Sequence, residues 1–162
     1  MESSRRIQLL GGLIAAILMC TPVLLCQKPL PLSGTWKLNL AESRYDGSAP
    51  PYKKSTCRIE TLADGIRIVY DMVGIRGGIT HLEWVGKLDG QDYPIQGIDE
   101  VLTNAYTRID DLTYDIVIKA DGKRAANARV SISPDGRSLT TVTTSRNADG
   151  KTIRSTVVYN RQ

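Results

Sequence analysis

The sequence of 162 residues predicts an all-β protein: an antiparallel up-and-down β-barrel of about ten strands, preceded by an N-terminal signal or anchor segment. Three observations predict it. Asp-Gly punctuates the chain, in "ADG" at 63–65, "LDG" at 88–90, "ADG" at 120–122, "PDG" at 134–136 and "ADG" at 148–150. Glycine tolerates the positive φ that tight hairpin turns demand, so each pair marks a reversal. Between the reversals apolar and polar residues alternate with a period of two, which puts one face of each strand on a core. Nothing between residues 30 and 162 carries the spacing of a long helix.

The front of the chain is a separate element. "MESSRR" is a short basic lead, and Ile7 to Leu25 contains no charge. A basic lead before an apolar run is the pattern of a secretory signal. The run is also about long enough, at ~20 residues, to span a bilayer as an uncleaved anchor. Cys26 invites a lipoprotein reading, but Leu25 stands where small residues are expected. The division is therefore 1–26 signal peptide or uncleaved membrane anchor, 27–33 linker, and 34–162 barrel domain. Every version places the domain outside the cytoplasm: periplasmic, envelope-anchored or secreted. Without the first 26 residues one cysteine remains, Cys57, so the exported domain has no internal disulfide and depends on packing. Its length suffices for a core, since a chain of this size buries roughly two-thirds of its unfolded surface.

Strands are expected near 34–41, 54–62, 66–73, 79–88, 91–97, 101–109, 112–120, 123–133, 137–147 and 151–160. "IRIVYDM" puts Ile66, Ile68, Tyr70 and Met72 on one face; "AANARVSI" does the same for Ala126, Ala128, Val130 and Ile132. The segment "AESRYDGSAPPYKK" has room for one helical turn before its prolines stop it. Pro94 suits an edge, a bulge or a strand end. A meander this long leaves two edges, and closing it removes both. A sandwich is the alternative, but it calls for longer crossover connections.

The net charge of +4 falls to +3 without Glu2, Arg5 and Arg6, and the sequence has no basic run longer than two residues. Nucleic-acid binders concentrate such charge, so no nucleic-acid partner is expected. The Asp-Gly aspartates lack the run of oxygen ligands a calcium loop needs, and no metal or cofactor is implied.

"GTWKLNLAES" resembles the first strand of the calycin superfamily, whose lipocalins and fatty-acid-binding proteins begin with Gly-x-Trp. The closing "VVYNRQ" is also similar to fatty-acid-binding proteins. Taken with "KLDGQDYPIQG" and "RIDDLTYDI" in that order, the chain looks like small exported bacterial lipocalin-like proteins. The resemblance covers nearly all of 33–162. It implies that Trp36 plugs one end of the barrel, with Gly34 allowing close backbone approach. Replacing Trp36 with alanine is then expected to cost ~3–5 kcal/mol. The chain also departs from fatty-acid-binding proteins. Their Arg-x-Tyr carboxylate anchor is matched by Val157-Val158-Tyr159, and their two-helix lid by a loop.

With Tyr159 inward, Ile153, Ser155 and Val157 follow, joined by Leu38, Ile59, Tyr70, Leu82, Trp84, Tyr114, Val130 and Leu139. This set has no charge. It is either a solid core or the lining of an apolar cavity; small Ala126, Ala128, Thr141, Thr143 and Ser155 and the absence of phenylalanine favour volume. In "VLTNAYTRI" one face is Leu102, Asn104, Tyr106 and Arg108. If it points inward, Arg108 can hold a carboxylate or phosphate bidentately; otherwise it is solvated. His81 alternates with Glu83 and faces solvent. Asp99-Glu100 and Asp110-Asp111 are turn formers, and no nucleophile elbow or triad context is present.

The expected protein is a monomer that binds a small apolar or amphipathic, lipid-like ligand and is not an enzyme. It meets membrane only through its N-terminal segment. The candidate ligand-binding residues are Trp36, Tyr70, Trp84, Tyr106, Arg108, Tyr114 and Tyr159; none is assigned to catalysis. The alternative is a protein-interaction module, a secreted inhibitor or envelope accessory protein, built on a filled barrel.

Overall fold

Ten strands form where the alternation places them: β1 Gly34–Tyr45, β2 Tyr52–Leu62, β3 Gly65–Gly74, β4 Ile79–Gly86, β5 Tyr93–Gln96, β6 Leu102–Arg108, β7 Thr113–Ala120, β8 Lys123–Ile132, β9 Ser138–Arg146 and β10 Thr152–Arg161. The computed structural model describes residues 29–46 and 50–162. The expected signal or anchor at 1–26 lies outside them. Each strand pairs antiparallel with its successor, and β1 pairs with β10, so the sheet closes into a barrel with no open edge. This is an up-and-down barrel and not a sandwich. The Asp-Gly pairs at 64–65, 89–90, 121–122, 135–136 and 149–150 all fall at strand connections. At the β7–β8 connection both Asp121 (φ 49°) and Gly122 (φ 74°) are left-handed, as a two-residue hairpin turn requires.

Two strands differ from expectation. β1 runs on to Tyr45 through a bulge between Asn39 and Arg44, so Ala41–Tyr45 is strand and not a helical turn; residues 47–49 of the expected segment lie outside the described ones. The bulge is held by Ser43, whose hydroxyl donates to the Asn39 carbonyl (2.7 Å) and accepts from the Val158 amide (3.0 Å). β5 is only four residues long and contributes two register pairs to each neighbour, because Pro94 has no amide proton to donate. It is the thinnest seam in the wall.

The connections define two ends. At one, the floor, lie the β2–β3, β4–β5, β6–β7 and β8–β9 connections and the C-terminus; the mouth is opposite. The core fills the floor half with Trp36, Ile66, Ile68, Trp84, Tyr106, Tyr114, Ile116, Val130, Ile132 and Leu139. Leu32, within the expected linker, belongs to this core at 1% exposed, and Leu30 packs against it. Ser33 and Thr61 share a hydroxyl hydrogen bond of 2.6 Å, and the Leu30 amide donates to Thr61 Oγ1.

Trp36 is fully buried, and its indole N–H donates to the Leu32 carbonyl at 2.9 Å. Above its ring lies the Arg161 guanidinium, 4.1 Å from the centroid. The same guanidinium donates to the carbonyls of Pro31 (2.6 Å), Ser33 (2.7 Å) and Gly136 (2.6 Å). Gly34 leaves room for this fork: a Cβ there would strike Arg161 Nη1. The close approach at Gly34 is thus made by a side chain, not by a second backbone.

Candidate functional site

Above the filled half the barrel is hollow. A cavity of about 240 Å³ is lined by Tyr52, Tyr70, Met72, Leu82, Thr141, Val157 and Tyr159. These come from β2, β3 and β4 on one side and β9 and β10 on the other. The choice between a solid core and a cavity resolves by height, filled below and hollow above. The small side chains of β8–β10 (Ala126, Thr143 and Ser155) stand on the inner face of the mouth half, where bulkier ones would close it.

The lining is neutral. Three phenols and one threonine hydroxyl supply its polarity, and no charged side chain is among the seven residues. Ser55 and Tyr159 hydroxyls lie 3.3 Å apart behind the wall. Cys57 stands opposite Tyr70 in the β2–β3 register and is 2% exposed. Burial pushes the Cys57 thiol up to about 12, outweighing the opposing influence of the Tyr70 hydroxyl and the nearby Arg58 charge. Burial likewise pushes the Tyr159 phenol up to about 12 and raises Tyr70 well above its ordinary value. All three stay protonated through the physiological range, so the site offers O–H donors and acceptors but no anion. Cys57 is a buried, inert thiol.

Of the residues singled out from sequence, Tyr70 and Tyr159 stand on the cavity wall. Trp84, Tyr106 and Tyr114 lie below it, in the filled half. Trp84 packs on Tyr106 with centroids 4.5 Å apart and meets Tyr93 edge-on at 5.9 Å, while its N–H reaches the carbonyls of Tyr93 and Asn104. Trp36 is at the floor. Arg108 does not reach the interior: it is the last residue of β6, beyond the floor edge, and its guanidinium bonds Asp111 and the Asp110 carbonyl in solvent. Its neighbours on the same face, Tyr106 and Asn104, do point inward. Asn104 Oδ1 is the one buried side-chain polar atom without a partner among the described residues.

Tyr52 is the lining residue that sequence reasoning missed. Alternation counted back from Cys57 and Ser55 puts position 53 inside. A bulge between Tyr52 and Lys54 shifts the register and turns Tyr52 inward instead. His81 faces solvent, with Nδ1 2.7 Å from Asp71 Oδ1, and Arg58 holds the other oxygen at 2.6 Å. These partners, His81 first, hold the Asp71 carboxyl below its usual range.

Among solved structures, the chain is similar to the siderocalin Ex-FABP, described as functioning through dual ligand specificities. The identity is 14%, the match covers 82% of this chain and 71% of that one, and the TM-score is 0.37. No family model and no curated protein sequence matches the chain. The fold stands on the strand order and register of the barrel itself.

Proposed function

We propose that the protein is an extracytoplasmic binding module, not an enzyme, and that its ligand is a small, uncharged apolar or amphipathic molecule held in the mouth half of the barrel. The exported, lipocalin-like character read from "GTWKLNLAES" and the apolar N-terminal run supports the location. The observation that carries the binding role is the neutral, phenol-lined cavity of about 240 Å³ above a sealed floor. Its size selects the ligand. An apolar cavity of ~150 Å³ holds benzene, whereas drug-sized sites run ~300–1,000 Å³. A molecule of one or two rings, or the end of a longer chain, is what fits. Met72, Leu82 and Val157 provide the apolar surface, and the hydroxyls of Tyr52, Tyr70, Tyr159 and Thr141 orient one polar group. The missing arginine at 157 and the outward Arg108 argue against a carboxylate as that group.

The test is native mass spectrometry of protein purified from its own envelope fraction, beside a Val157→Phe variant that fills the cavity. A discrete added mass that denaturation releases, and that the variant lacks while keeping its fold, is the expected result. A bare mass for both, with no uptake of small neutral aromatics or lipids on incubation, would sink the ligand-binding reading. It would favour the protein-interaction module, whose surface then includes the exposed Ile75, Ile79 and Val101 at the mouth.

A further inference from the structure

A second site lies on the outside of the barrel. Two adjoining hollows of about 480 and 470 Å³ run over the outer face of β7, β8, β9 and β10 and share Asn127 and Thr144. Arg124, Arg146 and Thr152 line the upper hollow, and Arg129 and Arg154 the lower. The register fixes their spacing. Asn127, Thr144 and Arg154 form one cross-strand row, and Arg146 with Thr152 forms the next on the same face. Arg146 and Arg154 are therefore diagonal neighbours, a separation of roughly 7–8 Å. Arg124 reaches the upper row because Ala125 is an extra residue, opposite a register shift between Ile118 and Lys119.

The cations of this trench are poorly compensated. Asp115 is the one carboxylate that lines it, and Arg129 occupies both of its oxygens at 2.7 and 2.8 Å. Arg124, Arg146 and Arg154 make no ion pair among the described residues. Asp46 is near, but its carboxylate accepts from the Arg154 backbone amide. Asp149, in the β9–β10 turn, is contacted by Asn147 Nδ2 at 3.4 Å. Like charges placed together on one face of a sheet repel, and this group persists with no protein anion between its members. Elsewhere the outer face does the opposite: Arg58 meets Asp71, and Arg67 meets Glu83.

We propose that this trench binds a phosphate- or sulfate-type oxyanion. Guanidinium forks match tetrahedral oxyanions bidentately, and the Thr144 and Thr152 hydroxyls and the Asn127 amide add neutral donors around them. Three uncompensated arginines on two rows suit a multiply charged group better than one carboxylate. The barrel wall separates this site from the cavity, so the inference does not depend on the cavity's ligand.

The experiment is a ¹H–¹⁵N titration of the full chain with inorganic phosphate and then pyrophosphate at fixed ionic strength, with chloride as control. Saturable shifts confined to residues 124–127, 144–146 and 152–154 are expected. The exposed double variant Arg124→Ala/Arg146→Ala should weaken binding about tenfold or more, and Arg76→Ala, at the β3–β4 turn, should leave it unchanged. Shifts that chloride reproduces, shifts spread over the barrel's other cations, or a double variant that binds as tightly would each overturn the proposal. A sedimentation arm separates the source. Retention on phosphatidylglycerol but not phosphatidylcholine vesicles, lost in the double variant, identifies a lipid headgroup. Pyrophosphate binding without retention identifies a soluble phosphate.

Discussion

Replacing Arg161 with alanine should destabilise the barrel as strongly as emptying a large core position, although the residue is the penultimate one. Its guanidinium makes hydrogen bonds to three backbone carbonyls from two distant segments and covers the Trp36 ring. Hydrogen bonds to a charged group contribute ~1.5–3 kcal/mol each. The site is only partly buried, so water re-hydrates some of the freed carbonyls, and roughly 2–4 kcal/mol of the sum survives. The cation–π contact adds ~0.5–2 kcal/mol. The expected loss is about 3–5 kcal/mol, which at a urea slope of ~2 kcal/mol/M moves the midpoint down by about 1.5–2.5 M. Arg161→Lys should fall between, because an ammonium on a flexible stem cannot fork to three carbonyls or stack flat on the indole. A double-mutant cycle with Trp36→Leu should show a coupling of about 1 kcal/mol. An Arg161→Ala loss below ~0.5 kcal/mol, the scale of an ordinary surface substitution, would refute the reasoning. So would an Arg161→Lys variant indistinguishable from the parent.

Two further outcomes follow from buried polar groups. Asn104→Leu should raise stability by about 1 kcal/mol, because it removes an acceptor that pays desolvation with no partner; urea unfolding reads this, and a loss would mean that Oδ1 has a partner. Cys57 and Tyr159 hold their protons up to about 12, above their unfolded values, so the unfolded chain releases protons first as pH rises. Their contribution is complete below pH ~8.5 and is lost progressively up to about pH 12, at no more than ~1.4 kcal/mol per unit for each group. Urea midpoints from pH 8 to 11 should fall accordingly, and Cys57→Ala should flatten the decline. A thiol reagent that labels Cys57 in the native state faster than unfolding would contradict its burial.

What the sequence revealed was local, and what it hid was cumulative. Each Asp-Gly reversal and each alternating run is decided within a few residues, so all ten strands could be read in order, with their inner faces except that of β6, whose two faces are too alike to separate by alternation. Bulges escape that logic. The one before Lys54 adds a residue to a strand and turns Tyr52 into the cavity, and nothing in "APPYKK" announces it. Alternation also gives the face of a residue but not its height along the barrel. Arg108 has the parity of Tyr106 and Asn104, yet it stands past the rim, where inward no longer means inside. The Arg161 fork depends on Pro31, Ser33 and Gly136 meeting at one point, which no window of sequence contains. The division into filled and hollow halves depends on summed volumes around the whole wall.

The two ends of the barrel domain meet at the floor: residues 30–33 tuck beneath Trp36, and Arg161 and Gln162 close over the same spot. Pro29 therefore stands at the sealed end, and the phenol-lined opening points the other way. A barrel tethered to a surface through its front segment would stand like a cup on its base. Cargo would be exchanged with whatever faces that surface and not with the surface itself. Cutting the tether would leave the opening unchanged and only release its orientation.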